Sequence, residues 1–386
     1  MDIRLVSQKD TNSIKEMWSY CFGDKDPFLS WYFEEKYSPV NTAAVYEHDR
    51  PVSSIQLLPY ELCFHDTVIQ VSYIVGAATF PEVRGKGYMQ ALLKKSMEVM
   101  RERGHYINIL LPFKYPFYRK YGWETCYYHK HYKIEMNDLK PIIKRYGRLR
   151  PANMDDDIYK MLDVYGDFTS KRNGCIVRTY KDMKSILTDH SFEDGKVYIL
   201  ENESGSAEGY ILYSIQSGVF NIHEMAYVST EAYKGLLWFA YSHTAQAEKL
   251  SWKAPEDDMS YIFLSEPRQD ITLKPFVMAR VIDVEKVLKL LIKDCTQMPD
   301  ITMHIEDTMA EWNNETFAIQ NGHVQRCNDS IPDLVCSINT FTQLAMGFIS
   351  PSQAYHLGLL QQNNKDSIEK AHKIFKISNN FINDYY

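Results

Sequence analysis

Short strand and helix signals alternate along residues 4–80. Ile3–Ser7 reads as a strand, and Asp10 is placed to cap a helix running to about Tyr20. A second, aromatic helix is predicted over Pro27–Tyr37. Strands follow at Ala43–Glu47 and Val52–Phe64, where Pro59 suggests a bulge or an edge. His65-Asp66 turns the chain into a strand over Val68–Phe80. Beyond a glycine-bearing turn, Met89, Leu92, Leu93, Ser96, Met97 and Met100 recur at helical spacing until Gly104 stops the run. Tyr106–Leu111 then reads as a buried strand, Tyr115–Tyr121 as a short helical turn and Thr125–Glu135 as a closing strand. One mixed α/β domain, residues 1–145, is predicted from this order, with a linker at Arg145–Pro151.

The middle segment, 151–276, repeats the theme. Lys196–Glu201, Glu208–Ile215 and Val219–Val228 are predicted strands, followed by an amphipathic helix from Ala232 to about Leu250. Ala78–Leu93 laid beside Met225–Ala240 gives the same strand, turn, helix order, but Ser229-Thr230-Glu231-Ala232-Tyr233-Lys234 replaces the glycine-bearing loop. This is a weak internal repeat, a second copy of the fold without its site. A third region, 277–386, opens with a strand at Val277–Val281 and a helix at Val284–Lys293. Strands within Thr302–Arg326 carry an Asn321-Gly322 turn. Leu334–Asn339 is a further strand, and helices are predicted at Phe341–Phe348, Ser352–Leu360 and Lys365–Phe375, before a polar-aromatic tail. The fold class is therefore α/β (α+β): two mixed-sheet domains in tandem, the second degenerate, and a C-terminal α+β domain.

Composition narrows the class of function. The 386 residues are 45% hydrophobic and 24% charged, as in ordinary globular proteins. The longest apolar runs, Tyr73–Phe80 and Tyr106–Phe113, are too short to span a bilayer, and the first residues lack signal-peptide anatomy. A cytoplasmic protein is expected. The seven cysteines are scattered and contain no C-x-x-C, so neither a disulfide framework nor a zinc knuckle is readable. His129 and His131 share one strand face, but spacing offers no third ligand, and no metal is expected. A net charge of −7 speaks against a general nucleic-acid binder. Residues 84–150 depart from that average with 16 Lys/Arg against 5 Asp/Glu. A solvated face accounts for such a stretch, and so does a site for a phosphate-rich small molecule.

The next motif favours the second account. In Pro81-Glu82-Val83-Arg84-Gly85-Lys86-Gly87-Tyr88-Met89, a glycine-bearing turn joins a strand to a long helix. Backbone N–H groups at the helix's positive end bind phosphate there without any particular side chain, while Arg84 and Lys86 add charge.

Arg84-Gly85-Lys86-Gly87-Tyr88-Met89 resembles the Gln/Arg-x-x-Gly-x-Gly/Ala signature of the GNAT acyltransferases, with Met89 at the last small position. The resemblance implies that the loop, with Gln90 at the helix start, grips the pyrophosphate of acetyl-CoA. It also implies that Ala77, Ala78 and Thr79 hydrogen-bond the pantetheine arm. Within that superfamily the whole chain resembles the enhanced intracellular survival (Eis) acetyltransferases: a catalytic GNAT domain, a degenerate one and a sterol-carrier-like domain. The segments that carry this are Phe117-Tyr118-Arg119-Lys120-Tyr121-Gly122-Trp123, Val277–Val284 and the tail Phe375–Tyr386. By this resemblance Tyr118 is the general acid, the α-carboxylate of Tyr386 is the general base reached through the tail, and Phe113 and Lys114 lie beside the cofactor. A symmetric homo-oligomer, such as a hexamer, is also implied.

Chemistry gives these roles independent sense. Amine attack on a thioester needs a proton for the departing thiolate, and a tyrosine stays protonated at neutral pH. An α-carboxylate is a feeble base unless burial raises its pKa or water relays the proton. The expected activity is acetyl-CoA-dependent N-acetylation of a primary amine, on a cationic small molecule or a lysine side chain. An acyltransferase using longer acyl-CoA and a non-catalytic lipid-binding protein are the alternatives.

Overall fold

A computed structural model describes residues 1–293, 299–327 and 331–385. Two compact units divide it: Met1–Tyr127 with Phe276–Asn380 and Tyr385, and Tyr128–Pro275 with Phe381–Asp384.

The first unit begins β1 (Asp2–Leu5), α1 (Thr11–Phe22), α2 (Phe28–Glu35), β2 (Thr42–Glu47), β3 (Arg50–Phe64) and β4 (Thr67–Thr79). It continues through α3 (Tyr88–Glu102), β5 (Ile107–Leu110), α4 (Tyr115–Arg119) and β6 (Glu124–Thr125). Strands β1 to β5 lie side by side in sequence order, β4 and β5 being parallel. α3 forms because its apolar positions fall on one face. Leu92, Leu93, Met97 and Met100 are fully buried against Ile55, Leu57 and Ile74 of β3 and β4. It ends at Gly104, whose φ of +77° continues no helix.

The closing strand expected over Thr125–Glu135 is divided. β6 stops at Thr125, and Tyr128–Glu135 is a strand of the second unit. The place beside β5 belongs to Met278–Val281, paired with β5 on one side and β6 on the other. Met278, Ala279 and Val281 are fully buried, as an interior strand requires. Pro59 does not mark the bulge; the β3–β4 register shifts instead between Ser54 and Gln56. The same unit holds a five-stranded sheet covering Ile301–Glu306, Thr316–Gln320, His323–Arg326, Leu334–Ser337 and Leu360–Gln362, with the hairpin turn at Asn321-Gly322.

In the second unit, Tyr128–Glu135 lies between Asp270–Pro275 and Lys249–Pro255. Val219–Tyr227, Ala207–Gln216, Lys196–Glu201 and Arg148–Pro151 follow across the sheet. The expected linker at Arg145–Pro151 thus contributes an edge strand. The helix expected to reach Leu250 spans Thr230–Tyr241, because Ser242 and His243 turn back to hydrogen-bond the Phe239 carbonyl. Helices Ile158–Thr169 and Tyr180–Phe192 were not anticipated from the pattern.

Candidate acyl-transfer site

The site starts from a defect in the sheet. Gly76 sits at the β4 register shift with φ +59°, and a Cβ there would come within 2.5 Å of the Trp18 ring. Only glycine allows α1 to press this closely on a bulged strand. The β4–β5 ladder pairs Ser72–Ile74 with Asn108–Leu110 and then stops. Beyond it the chains part, and a cleft of about 350 Å³ opens between Val75–Ala77 and Leu111–Phe113. Trp18, Phe22, Asp24 and Tyr118 complete its walls. The Trp18 indole donates to Asp24 Oδ2 at 2.8 Å, which fixes the carboxylate in the wall.

Next to the cleft, Pro81–Val83 makes one 3-10 turn and Arg84 leads into the glycine loop. Gly85 and Gly87 have φ of +83° and +79°, and an added Cβ at either would meet nothing within 4 Å. These are open positions in a backbone conformation that side chains disfavour, which suits a backbone exposed to a ligand. Gly87 caps α3 without a side-chain hydrogen bond, so the N–H groups of Tyr88, Met89 and Gln90 have no intrahelical acceptor. Together they form an anion cradle at the positive end of a 15-residue helix.

The charged side chains of the loop brace it. Arg84 Nε donates to the Thr79 carbonyl at 3.1 Å, tying the loop to the end of β4. Lys86 Nζ lies 3.0 Å from Glu47 Oε1, and the Tyr88 hydroxyl donates to the same carboxylate. Those Tyr88 and Lys86 bonds hold the Glu47 carboxyl below its ordinary value. Ala78 is buried, its carbonyl accepting from Ser53 Oγ at 2.9 Å, while Thr79 Oγ1 lies 2.7 Å from the same hydroxyl. Ala77 lines the cleft. Met89 is half-buried against the core and Gln90 is exposed.

Tyr118 comes from α4, the turn that follows β5. It is buried, its ring meeting Phe113, Phe117 and Trp123 edge-on. Burial pushes its hydroxyl well above the ordinary value, so the phenol is protonated across the physiological range. Phe113 is 71% exposed at the cleft, and Lys114 caps α4. The cleft therefore gathers Ala77, Phe113 and Tyr118, with the glycine loop at the end of the same strand. Tyr386, the other expected catalytic residue, lies outside the described residues. Trp18, Asp24, Glu47 and Gly76 were missed; of these only Gly76, a glycine inside a strand pattern, carried a readable signal.

Much of the basic stretch is committed elsewhere. Arg101 pairs with Asp283, Arg119 with Glu124, and Arg150 with Asp157 and Glu201. His129 Nε2 meets the Ile382 carbonyl at 2.8 Å. Among the described residues no group of three metal-ligating side chains occurs, and no helix is long and apolar enough to cross a membrane.

The GNAT acetyltransferase domain family matches residues 2–126, and a second GNAT acetyltransferase domain family matches residues 174–281. The sterol carrier protein domain family matches residues 284–383. This chain is a tandem GNAT acetyltransferase. Its fold is shared over its whole length with Eis1 from Mycobacterium abscessus, at 15% identity, 100% coverage of both chains and a TM-score of 0.80. A GCN5-related N-acetyltransferase from Anabaena variabilis ATCC 29413 is 19% identical, with 100% of both chains covered and a TM-score of 0.85. A conserved protein of unknown function from Enterococcus faecalis V583, described as a probable N-acyltransferase, is 22% identical with a TM-score of 0.88. That alignment covers 100% of this chain and 99% of the other. Comparison with curated proteins finds no match. As a tandem GNAT acetyltransferase the protein belongs to the acyl-CoA-dependent acyltransferases, and the open cradle and cleft of the first domain fit such a co-substrate.

The second GNAT domain treats its helix N-terminus differently. Ser229, in extended conformation, caps Thr230–Tyr241 by accepting from the Ala232 N–H. Glu231 adds a negative charge to the first turn. A capped, acidic N-terminus is less favourable to an anion than the uncapped one of the first domain.

Proposed function

We propose that the protein is an acetyl-CoA-dependent N-acetyltransferase that acts on a primary amine in the cleft of its first GNAT domain. One observation carries this reading: an uncapped helix N-terminus and a buried, protonated tyrosine flank the same opened strand edge. The loop from Gly85 to Gln90 offers backbone N–H groups to the diphosphate, and β4 offers its unpaired edge beyond Ile74 to the pantetheine amides. The neutral amine attacks the thioester carbonyl, forming the C–N bond; the adduct nitrogen gives its extra proton to solvent water, which in turn restores the Tyr118 proton, and collapse of the tetrahedral adduct breaks the C–S bond. Tyr118 donates its proton to the departing sulfur. Its raised pKa is compatible with this role, because the same desolvation makes a thiolate more basic and transfer is driven only as the C–S bond breaks.

The acceptor is a cation. Asp24 sets a carboxylate in a wall otherwise made by Trp18 and Phe22, and an ammonium-bearing molecule gains from both charge and aromatic faces. A second amine of a polyamine, an aminoglycoside or a lysine-bearing chain fits this arrangement. Thiol release with acetyl-CoA and a longer acyl-CoA, each against a panel of cationic and neutral amines, tests the proposal. Turnover is expected with acetyl-CoA and cationic amines; turnover only with longer acyl chains, or only with neutral amines, overturns it.

A further inference from the structure

The second unit repeats the strand divergence of the first and fills it. Its parallel ladder pairs Val219–Ile222 with Lys249–Trp252 and then ends, while Val219–Tyr227 runs on. As in the first unit, the neighbouring register shifts at that point, here between Leu212 and Tyr213, which leaves His223 bulged. Residues Phe381–Asp384 of the same unit lie against this open edge. Asn383 Nδ2 donates to the His223 carbonyl at 3.1 Å, the first residue past the ladder, and to Glu224 Oε2 at 2.9 Å. The Phe381 N–H donates to the Asn173 carbonyl at 3.0 Å, and its ring packs edge-on against Phe168.

The last of these residues enters a buried charge cluster. Arg178 has a side chain with no exposed surface; its two Nη atoms each lie 2.7 Å from Glu224, and its Nε lies 2.8 Å from Asp384 Oδ1. The Tyr210 hydroxyl donates to Glu224 at 2.6 Å, and the Arg178 guanidinium stacks over the Tyr165 ring. Burial alone would raise the Glu224 carboxyl; Arg178 outweighs it and holds the group below its ordinary value. Glu224 takes one N–H from each Nη atom, and Nη2 also reaches Asp384 Oδ2 at 3.4 Å. The Nε–H is left as a buried donor, and an unfilled buried donor on a cation is costly. Asp384 supplies its acceptor.

We propose that this divergence is a binding site for an acidic peptide segment, with Phe381–Asp384 as its resident ligand and Arg178 as the residue that reads the aspartate. The strand edge reads the carboxamide one residue earlier, and the pocket beside Phe168 takes the aromatic ring. Held in this way, the segment blocks the second GNAT divergence.

The test uses the full chain. In the wild type, the amides of residues 381–384 should exchange with deuterium as slowly as those of Val219–Tyr227. Asp384→Asn should accelerate exchange in 381–384 at least tenfold, with Val219–Ile222 unchanged. A dye-labelled peptide carrying Phe-Ile-Asn-Asp should bind the Asp384→Asn chain at least tenfold more tightly than the wild type, and a peptide with asparagine for that aspartate should not. Asn383→Ala, which leaves every charge in place, supplies a second chain for the same measurements. Rapid exchange of 381–384 in the wild type, unchanged exchange in both variants, or peptide binding indifferent to the aspartate each overturns the proposal.

Discussion

The two strand divergences begin alike and end differently. In each unit a short parallel ladder stops, a register shift bends the inner strand, and a helix follows. In the first, the opening is a cleft lined by Trp18 and Tyr118, and the helix begins on a bare glycine. In the second, the opening holds Phe381–Asp384, and the helix begins on a serine that consumes one of its N–H groups. The sheet geometry is common to both, so it does not decide which domain can take a co-substrate. On the function proposed above, the cap and the occupant do.

The harshest way to break this contrast is Gly87→Glu, which puts a side chain into the left-handed backbone region and a carboxylate into the anion cradle. Acyl-CoA binding should fall below detection by calorimetry while the thermal transition is retained; binding that survives would mean the loop is not the cradle. Tyr118→Phe sharpens the contrast on the chemical side. Turnover should fall by about 10²–10⁴-fold with the co-substrate Kd unchanged. Wild-type turnover with chemistry rate-limiting would remove Tyr118 from the reaction.

A third effect belongs to the second unit. Burial holds His129 near a pKa of about 4, against 6.5 ordinarily. Between those values the unfolded chain takes a proton that the native one refuses, so stability is full above pH 6.5 and declines as pH falls towards 4. At pH 5 the loss is roughly 2 kcal/mol for this one group. Urea unfolding at pH 7 and pH 5, compared between wild type and His129→Gln, measures it: the variant should lose about that much less, keeping the share of His131 and His223, which burial lowers likewise. The smallest expected effect is that of Asp24→Asn. KM for a cationic acceptor should rise about tenfold, roughly 1.5 kcal/mol for a lost hydrogen bond to a charged group. The co-substrate Kd should not move, and a neutral amine should be unaffected.

What could be read from the sequence follows from how local the determinants are. The α3 periodicity and the loop from Arg84 to Gly87 are contiguous, and both are visible in a short window. The apolar spacing of Ile158, Met161, Tyr165 and Phe168 is equally local. The placement of Met278–Val281 beside β5 was hidden, because it depends on pairing across more than 160 residues. Asp24 gains its role through the turn at Gly23 and the Trp18 indole, and neither leaves a motif. Asp384 looked like one polar residue in a tail; its meaning comes from Arg178, more than 200 positions away.

On the proposed function, one divergence of the two accepts a co-substrate. Calorimetric titration of the wild-type protein with acetyl-CoA decides the matter. One site per chain, abolished by Gly87→Glu and untouched by Ser229→Ala, is the predicted result. Two sites per chain, or a single site that survives Gly87→Glu, would contradict it.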